Sequence, residues 1–111
     1  MDGQPLTGSV ALVAGATRGA GRALAVELAR AGTFVHASGR SSRTDGPSEI
    51  NRSETIEDTL DLIRRAGGDG AAERVDHTRP EEVRALVERI RTRHGRLDVL
   101  VNDIFGGDRY A

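Results

Sequence analysis

The chain has no cysteine and no lysine, and these two absences exclude several kinds of chemistry from the sequence. Without cysteine it can form neither disulfides, thiolate nucleophiles nor cysteine-ligated zinc. The 16 basic residues are all arginine, which excludes a lysine base, a lysine Schiff base and a phosphate-loop lysine. Aromatic residues make up 3% of the chain, and no apolar run approaches the roughly 20 residues of a membrane-spanning helix.

The overall composition is typical of a soluble globular protein. Hydrophobic residues account for 37%, charged residues for 30%, and the formal net charge is -1. A near-neutral charge indicates no bulk attraction to nucleic acid, and residues 1–5 do not resemble a secretion signal. We therefore expect a single-domain, cytoplasmic protein that binds neither nucleic acid nor membrane.

Apolar and helical patterns alternate along the chain. Val10–Ala14 is a short apolar run before Gly15, typical of a strand buried on both faces. Further strands are predicted over residues 33–38, 71–75 and 97–101, and helices over residues 21–31 and 56–66. A third helix is predicted to start at a capping box at Thr78 and to end at His94-Gly95. Strands separated by helical crossovers form a parallel sheet. The predicted fold is therefore a partial, Rossmann-like, doubly wound α/β sheet with strand order 3-2-1-4 and helices on both faces.

Two local patterns add detail to this prediction. Thr78-Arg79-Pro80-Glu81 matches a capping box with proline in the first turn of the third helix. Residues 39–53 contain no hydrophobic period and predict a loop longer than most connections. Loops of this length are often functional.

The three histidines, His36, His77 and His94, lie far apart in sequence. None has a second candidate ligand at helical spacing. We therefore predict solvated or helix-end positions for them and assign no metal site.

A glycine-rich segment follows the first predicted strand. Residues 15–21 read Gly-Ala-Thr-Arg-Gly-Ala-Gly, between a strand and a helix. Such a turn directs backbone N–H groups and the positive end of the helix dipole toward one point, which suits a pyrophosphate. Without a following Lys-Ser or Lys-Thr it is not an ATPase-type phosphate loop. The predicted cofactor-binding residues here are Gly15, Thr17, Arg18, Gly19, Ala20 and Gly21; the alternative is a purely structural turn.

Residues 14–21, Ala-Gly-Ala-Thr-Arg-Gly-Ala-Gly, resemble the T-G-x-x-x-G-x-G motif of the short-chain dehydrogenase/reductase (SDR) family, with Ala14 in place of threonine. The resemblance extends along essentially the whole chain. Asp76, beside His77, and Asn102 follow the third and fourth strands, as the family's adenine-pocket residues do. An aspartate at a strand end is also a common turn residue. After Asn102 the sequence Asp-Ile-Phe departs from the family pattern N-N-A-G.

The resemblance implies a nicotinamide dinucleotide cofactor, and the end of the second strand indicates which one. Proteins that bind NAD(H) carry a carboxylate at this position, which accepts hydrogen bonds from the adenosine ribose hydroxyls. This chain has Ser38-Gly39-Arg40-Ser41 instead, and an arginine would pair with a 2′-phosphate. With Arg18 and Ser41 as further contacts, the sequence favours NADP(H), with NAD(H) possible and a solvated Arg40 as the alternative.

No catalytic residue can be assigned. The family transfers hydride between nicotinamide and a small carbonyl or alcohol substrate, using a tyrosine in a Y-x-x-x-K sequence. Tyr110 is the only tyrosine, one residue from the end of the sequence. We therefore expect residues 1–111 to be the N-terminal part of a single NAD(P)-binding domain, with the catalytic C-terminal half absent and the chain inactive alone.

Two other functions stay open. One is a non-catalytic nucleotide-binding module or the remnant of a truncated gene. The other is an S-adenosylmethionine-dependent transferase, which Arg40 disfavours because such sites also use an acidic residue at the second strand end.

Overall fold

Strands and helices alternate along the chain as a parallel α/β sheet. The structure, a computed structural model, describes residues 5–40 and 55–102. Its sheet has the order β3-β2-β1-β4 with every neighbouring pair parallel. The elements are β1 (Val10–Ala14), α1 (Gly19–Arg30), β2 (Phe34–Gly39), α2 (Ile56–Arg65), β3 (Asp69–Arg74), α3 (Pro80–His94) and β4 (Val99–Asn102). The predicted fold class and strand order are confirmed.

Strand β1 is buried along its whole length because helices cover both faces of the sheet. On one face, Val13 packs in a cluster with residues of α1, β2 and α2, including Ala25, Val35 and Ile63. On the other face, Leu12 belongs to a cluster with residues of α3, which are Leu86 and Ile90. The hydrophobic core is therefore split into two layers by the sheet, as the continuous apolar run of β1 predicted.

The helices end at the glycines that the sequence indicated. Gly95 follows α3 in the left-handed region, with φ of 73°, and its N–H donates to the Arg91 carbonyl at 2.7 Å. Gly32 and Gly67 follow α1 and α2 in the same way. No helix in the described ranges has the length and hydrophobicity needed to cross a membrane.

The start of α3 differs from the prediction. The N-cap residue is Arg79 rather than Thr78, and no side chain caps the helix. Thr78 instead donates its backbone N–H and its hydroxyl to Asp76 Oδ1, at 3.0 Å and 2.7 Å. The predicted capping box is wrong because the Asp76 carboxylate competes for Thr78. Pro80 does occupy the first turn as predicted.

The ends of the outer strands also differ. Strand β3 begins at Asp69, two residues before the predicted start, and β4 begins at Val99 rather than at residue 97. Asp98, just before β4, still contacts β1: its N–H donates to the Val10 carbonyl at 2.8 Å, and its carboxylate accepts the Val10 N–H at 2.8 Å.

His36 is not solvated, so that prediction is wrong. Its side chain is 2% exposed, on the face of the sheet that α3 covers. His36 Nδ1 lies 2.8 Å from Glu73 Oε2, and Nε2 lies 2.9 Å from His94 Nε2. These partners lie 37 and 58 positions away in the sequence, which is why the sequence could not indicate them. His94 is the last residue of α3, as a helix-end position requires.

The two-layer core predicts unequal costs for two leucine truncations. Leu86→Ala removes a fully buried side chain facing β1 and should lower the free energy of unfolding by about 2–5 kcal/mol. Leu24→Ala, in α1, removes a side chain that is 45% exposed and should cost under about 1 kcal/mol. Urea unfolding of both variants tests this; equal losses would contradict the assignment of the core.

Candidate functional site

The residues singled out in the sequence meet at one edge of the sheet. The strands are parallel, so their carboxyl ends lie on the same side. The glycine-rich segment follows β1, Arg40 follows β2, and Asp76 and His77 follow β3. Asn102, exposed, is the last residue of β4 and pairs with Ala14. Ligands of open α/β sheets bind at this edge, where successive strands lie on opposite sides of the first.

The glycines of this segment bring α1 against the end of β1. A Cβ on Gly21 would lie 2.2 Å from the Gly15 carbonyl oxygen, so any larger residue would push the helix away. Gly15 and Gly19 have φ of 84° and 62°, in the region that favours glycine. The turn is therefore tight and places the first turn of α1 directly after the strand.

Helix α1 begins without the stabilising groups present at the start of α2. Thr55 accepts the Asp58 N–H, and the Asp58 carboxylate accepts the Thr55 N–H, so α2 has a capping box. Its first turn also carries two acidic side chains. Arg18, the N-cap of α1, makes no side-chain cap, and no acidic residue lies in that first turn. The start of α1 can therefore accept an anion through its backbone N–H groups and its dipole.

Ser38 organises this edge, although the sequence indicated it only as a strand residue. Its carbonyl oxygen accepts the N–H groups of Gly15 and Ala16, at 2.9 Å and 3.0 Å. Its hydroxyl lies 2.8 Å from His77 Nε2. One residue of β2 thus connects the glycine segment to the β3–α3 loop. No local pattern signals this role, because it depends on the pairing of β1 with β2.

A polar network on the other side supports the glycine segment and was also missed. The Thr59 hydroxyl of α2 donates to the Ala16 carbonyl at 2.6 Å. Arg22 of α1 donates through Nε to Thr59 Oγ1 at 3.0 Å and through Nη2 to the Thr55 carbonyl at 3.3 Å. The sequence Thr-Ile-Glu-Asp at residues 55–58 was the one available signal, as a capping motif.

Thr17 lies inside the turn and is 7% exposed. A Cβ on Gly39 would lie 2.3 Å from Thr17 Oγ1, so the residue before Arg40 must be small for the turn to approach β2. Arg18 is half-buried, whereas Gly19 and Ala20 are exposed. The turn therefore buries the side chains of Ala16 and Thr17 and leaves Gly19 and Ala20 exposed to solvent.

Arg40 and Asp76 are electrostatic neighbours. The pKa of Asp76 is lowered first by the hydrogen bonds from the Thr78 hydroxyl and N–H, and then by the charges of Arg40 and Arg79. The Asp76 N–H donates a hydrogen bond to Glu82 Oε1 at 2.9 Å. The Arg40 guanidinium at the end of β2 thus favours the ionised form of the Asp76 carboxylate after β3.

His77 is half-buried, and desolvation lowers its pKa while the charges of Asp76 and Glu82 oppose that shift. A histidine within hydrogen-bond distance of a serine is typical of an activated nucleophile. Ser38 is fully buried, however, so its hydroxyl cannot reach a substrate. The Ser38–His77 contact is therefore structural.

Several predicted residues fall outside the described residues. Ser41, most of the predicted long loop, residues 103–105 and Tyr110 belong to this group. Within residues 5–40 and 55–102, no group of three or more potential ligands is placed to hold a metal ion.

A glycine turn followed by an uncapped helix start, at the carboxyl edge of a parallel sheet, is the arrangement typical of dinucleotide-binding α/β proteins. The family model for short chain dehydrogenases matches residues 9–104. Human "Dehydrogenase/reductase SDR family member 1" is 35% identical over 104 residues, and "Short-chain dehydrogenase/reductase homolog YusS" of Bacillus subtilis is 31% identical over 94 residues. The chain belongs to the short-chain dehydrogenase/reductase family.

Solved structures agree in fold. A metagenomic short-chain oxidoreductase in complex with NADP superposes with a TM-score of 0.77 at 30% identity, over 90% of this chain and 40% of that protein. A short-chain dehydrogenase/reductase homologue from Burkholderia xenovorans gives 0.77 at 37% identity, over 91% and 36% of the two chains. The alignment with the human protein covers 93% of this chain but 30% of that protein, whereas 77% of YusS is covered.

The Thr59 hydroxyl should stabilise the glycine segment. Thr59→Val keeps the side-chain volume but leaves the Ala16 carbonyl without its donor, at a cost of about 1–3 kcal/mol in the free energy of unfolding. Thr59→Ser keeps the hydroxyl and should cost less. Chemical denaturation of both variants distinguishes the hydrogen bond from packing; a greater loss in Thr59→Ser would show that the methyl group matters more.

Proposed function

We propose that this chain forms the adenosine and pyrophosphate part of an NADP(H) site in an SDR oxidoreductase. The observation that carries the proposal is the start of α1. It has neither a capping side chain nor an acidic residue, and the glycine turn places it at the carboxyl edge of the sheet. A pyrophosphate is the ligand that these backbone groups suit best.

The proposed roles of the surrounding residues follow from their positions. The segment of Gly15, Thr17, Gly19, Ala20 and Gly21 faces the pyrophosphate. Asp76, His77 and Asn102, at the ends of β3 and β4, line the adenosine side. The Asp76 carboxylate accepts two hydrogen bonds from Thr78 at Oδ1. Its Oδ2, which lies 3.8 Å from Arg79 Nε, is the oxygen we assign to an adenine amino group.

The preference for NADP(H) over NAD(H) rests on charge at the end of β2. Arg40 occupies the position after the strand, where an NAD(H) site carries a carboxylate for the ribose hydroxyls. Ser41 would add a hydrogen bond there, and Arg18 a second cation. The NADP bound by the metagenomic relative is consistent with this preference.

The activity of the whole protein is part of the same proposal. The nicotinamide group, when bound, supplies the hydride acceptor or donor for a small carbonyl or alcohol substrate. This chain's residues would bind and orient the cofactor, and the tyrosine–lysine pair of the family would come from sequence beyond these 111 residues. A cytoplasmic location also stays a prediction.

Replacing Arg40 tests the cofactor preference. In the protein containing this chain, Arg40→Ala should weaken NADP(H) binding by roughly ten- to a hundredfold, because a charge-assisted contact contributes about 1.5–3 kcal/mol. Binding of NAD(H) should hardly change. Titration at fixed salt gives both dissociation constants.

Arg65→Ala is the matched control. Arg65 is an exposed arginine at the C-terminal end of α2, far from the carboxyl edge of the sheet. Arg18→Ala combined with Arg40→Ala should show coupling rather than additivity if both side chains contact the phosphate. Equal weakening of NAD(H) and NADP(H) by Arg40→Ala would mean that Arg40 does not recognise the 2′-phosphate.

The 111-residue chain should have no turnover by itself, because it contains no lysine and its one tyrosine is at position 110. Incubation with NADPH and a panel of ketones and aldehydes, followed at the NADPH absorbance band, should show no oxidation above background. Gly21→Ala serves as the control, since it disrupts the glycine turn. NADPH oxidation by the chain that Gly21→Ala abolishes would contradict the prediction.

A further inference from the structure

Three polar side chains from β2, β3 and α3 form a cluster on the face of the sheet opposite α1 and α2. We call His36, Glu73 and His94 the histidine cluster. His36 Nδ1 lies 2.8 Å from Glu73 Oε2, and His36 Nε2 lies 2.9 Å from His94 Nε2. Because α3 runs back across the sheet and ends at His94, the cluster joins the end of this helix to the interior of β2.

The hydrogen-bond roles in the cluster can be assigned by counting protons. The hydrogen bond with His36 is the main cause of the lowered pKa of Glu73, so its carboxylate is ionised near neutral pH and can only accept. His36 Nδ1 must then carry a hydrogen. The facing Nε2 atoms of His36 and His94 form a hydrogen bond when one of them carries a hydrogen and the other a lone pair. One added proton charges one imidazole and still leaves a single hydrogen between the two facing Nε2 atoms. When both imidazoles are charged, both Nε2 atoms carry a hydrogen and the bond is broken.

The surroundings make a second positive charge unfavourable. Glu73 is the carboxylate in contact with the cluster, and it also pairs with Arg89, whose Nη2 lies 3.4 Å from Oε1. Phe34 packs against both imidazoles, with ring centroids 5.1 Å and 4.8 Å away, and the Arg93 guanidinium lies over its ring at 4.7 Å. Desolvation, followed by the charges of His36 and Arg93, lowers the pKa of His94.

We propose that His36 and His94 form a pH-sensitive latch. The latch holds the C-terminal end of α3 on β2 while one hydrogen lies between the two facing Nε2 atoms, and it releases the helix end when both imidazoles are charged. The helix end continues through residues 95–98 to β4, so release would loosen the connection to that strand. The latch depends neither on the cofactor nor on the carboxyl edge of the sheet.

The direction of the pH effect follows from the pKa of His94. Its value is lowered from 6.5 in the folded protein, so the unfolded chain binds the proton more readily. The stabilisation by the latch is therefore complete above pH 6.5 and is lost as the pH falls through the lowered pKa of His94. Glu73 acts in the same direction at more acidic pH, because its pKa is also lowered.

Nitrogen-15 NMR of the histidine side chains tests the proton assignment directly. At pH 8 in the intact protein, with a chelator present, His36 should be the Nδ1–H tautomer and His94 should carry hydrogen on Nε2. On acidification the amide signals of residues 91–98 should shift together with the side-chain signals of His94. His77, which is not part of the cluster, is the internal control.

Two substitutions of His94 separate the hydrogen bond from its titration. The Gln side chain in His94→Gln donates to His36 Nε2 but does not gain a proton, so amide exchange in residues 91–98 should stay slow at pH 8 and depend less on acid. The apolar His94→Leu cannot donate, so exchange there should be several-fold faster already at pH 8. His77→Gln should leave this segment unchanged.

Three results would overturn the proposal. One is a His36 tautomer with hydrogen on Nε2 alone. Another is identical exchange and pH dependence in the wild type, His94→Gln and His94→Leu. The third is slow exchange that requires added zinc and disappears with the chelator, which would show a metal ion rather than a shared proton between the imidazoles.

Discussion

The contact between Gly21 and the Gly15 carbonyl is the constraint on which the candidate site depends. The distance of 2.2 Å to a Cβ built on Gly21 shows that the helix can start here only if the third glycine has no side chain. With α1 held against the end of β1, its first turn lies at the carboxyl edge of the sheet, where β2 and β4 flank β1. A side chain on Gly21 would move this first turn away from the end of β1.

The start of α1, at this end of the molecule, lacks stabilising groups that the starts of the other two described helices have. Helix α2 has its own capping box, and α3 has proline and two acidic residues in its first turn. Helix α1 has none of these, although its other contacts are well satisfied: Ser38 binds the turn from β2, and Thr59 binds it from α2. A turn that is fixed on both sides while its helix start stays uncapped is organised before a ligand arrives, so little ordering cost accompanies binding.

Two histidines contact different polar partners near β2. At the carboxyl edge, buried Ser38 contacts His77, whose burial favours the neutral imidazole. On the α3 side, His36 contacts a carboxylate and a second imidazole. The proposed latch therefore concerns the end of α3, whereas His77 lies at the edge of the sheet where the cofactor is proposed to bind.

The sequence by itself determined the fold and the place of the site, because both depend on local patterns. The apolar run of β1, the glycines of the turn and the alternation of strands and helices are read from neighbouring residues, and they predicted the strand order and family correctly. Only the tertiary structure decided which polar groups meet: Ser38 with Gly15 and His77, Thr59 with Ala16, and His36 with Glu73 and His94. These partners lie on different elements, and register and helix packing, rather than spacing along the chain, bring them together. Thr78 is a different case, because its competing partner Asp76 lies two residues earlier and forms a local turn in place of the predicted capping box.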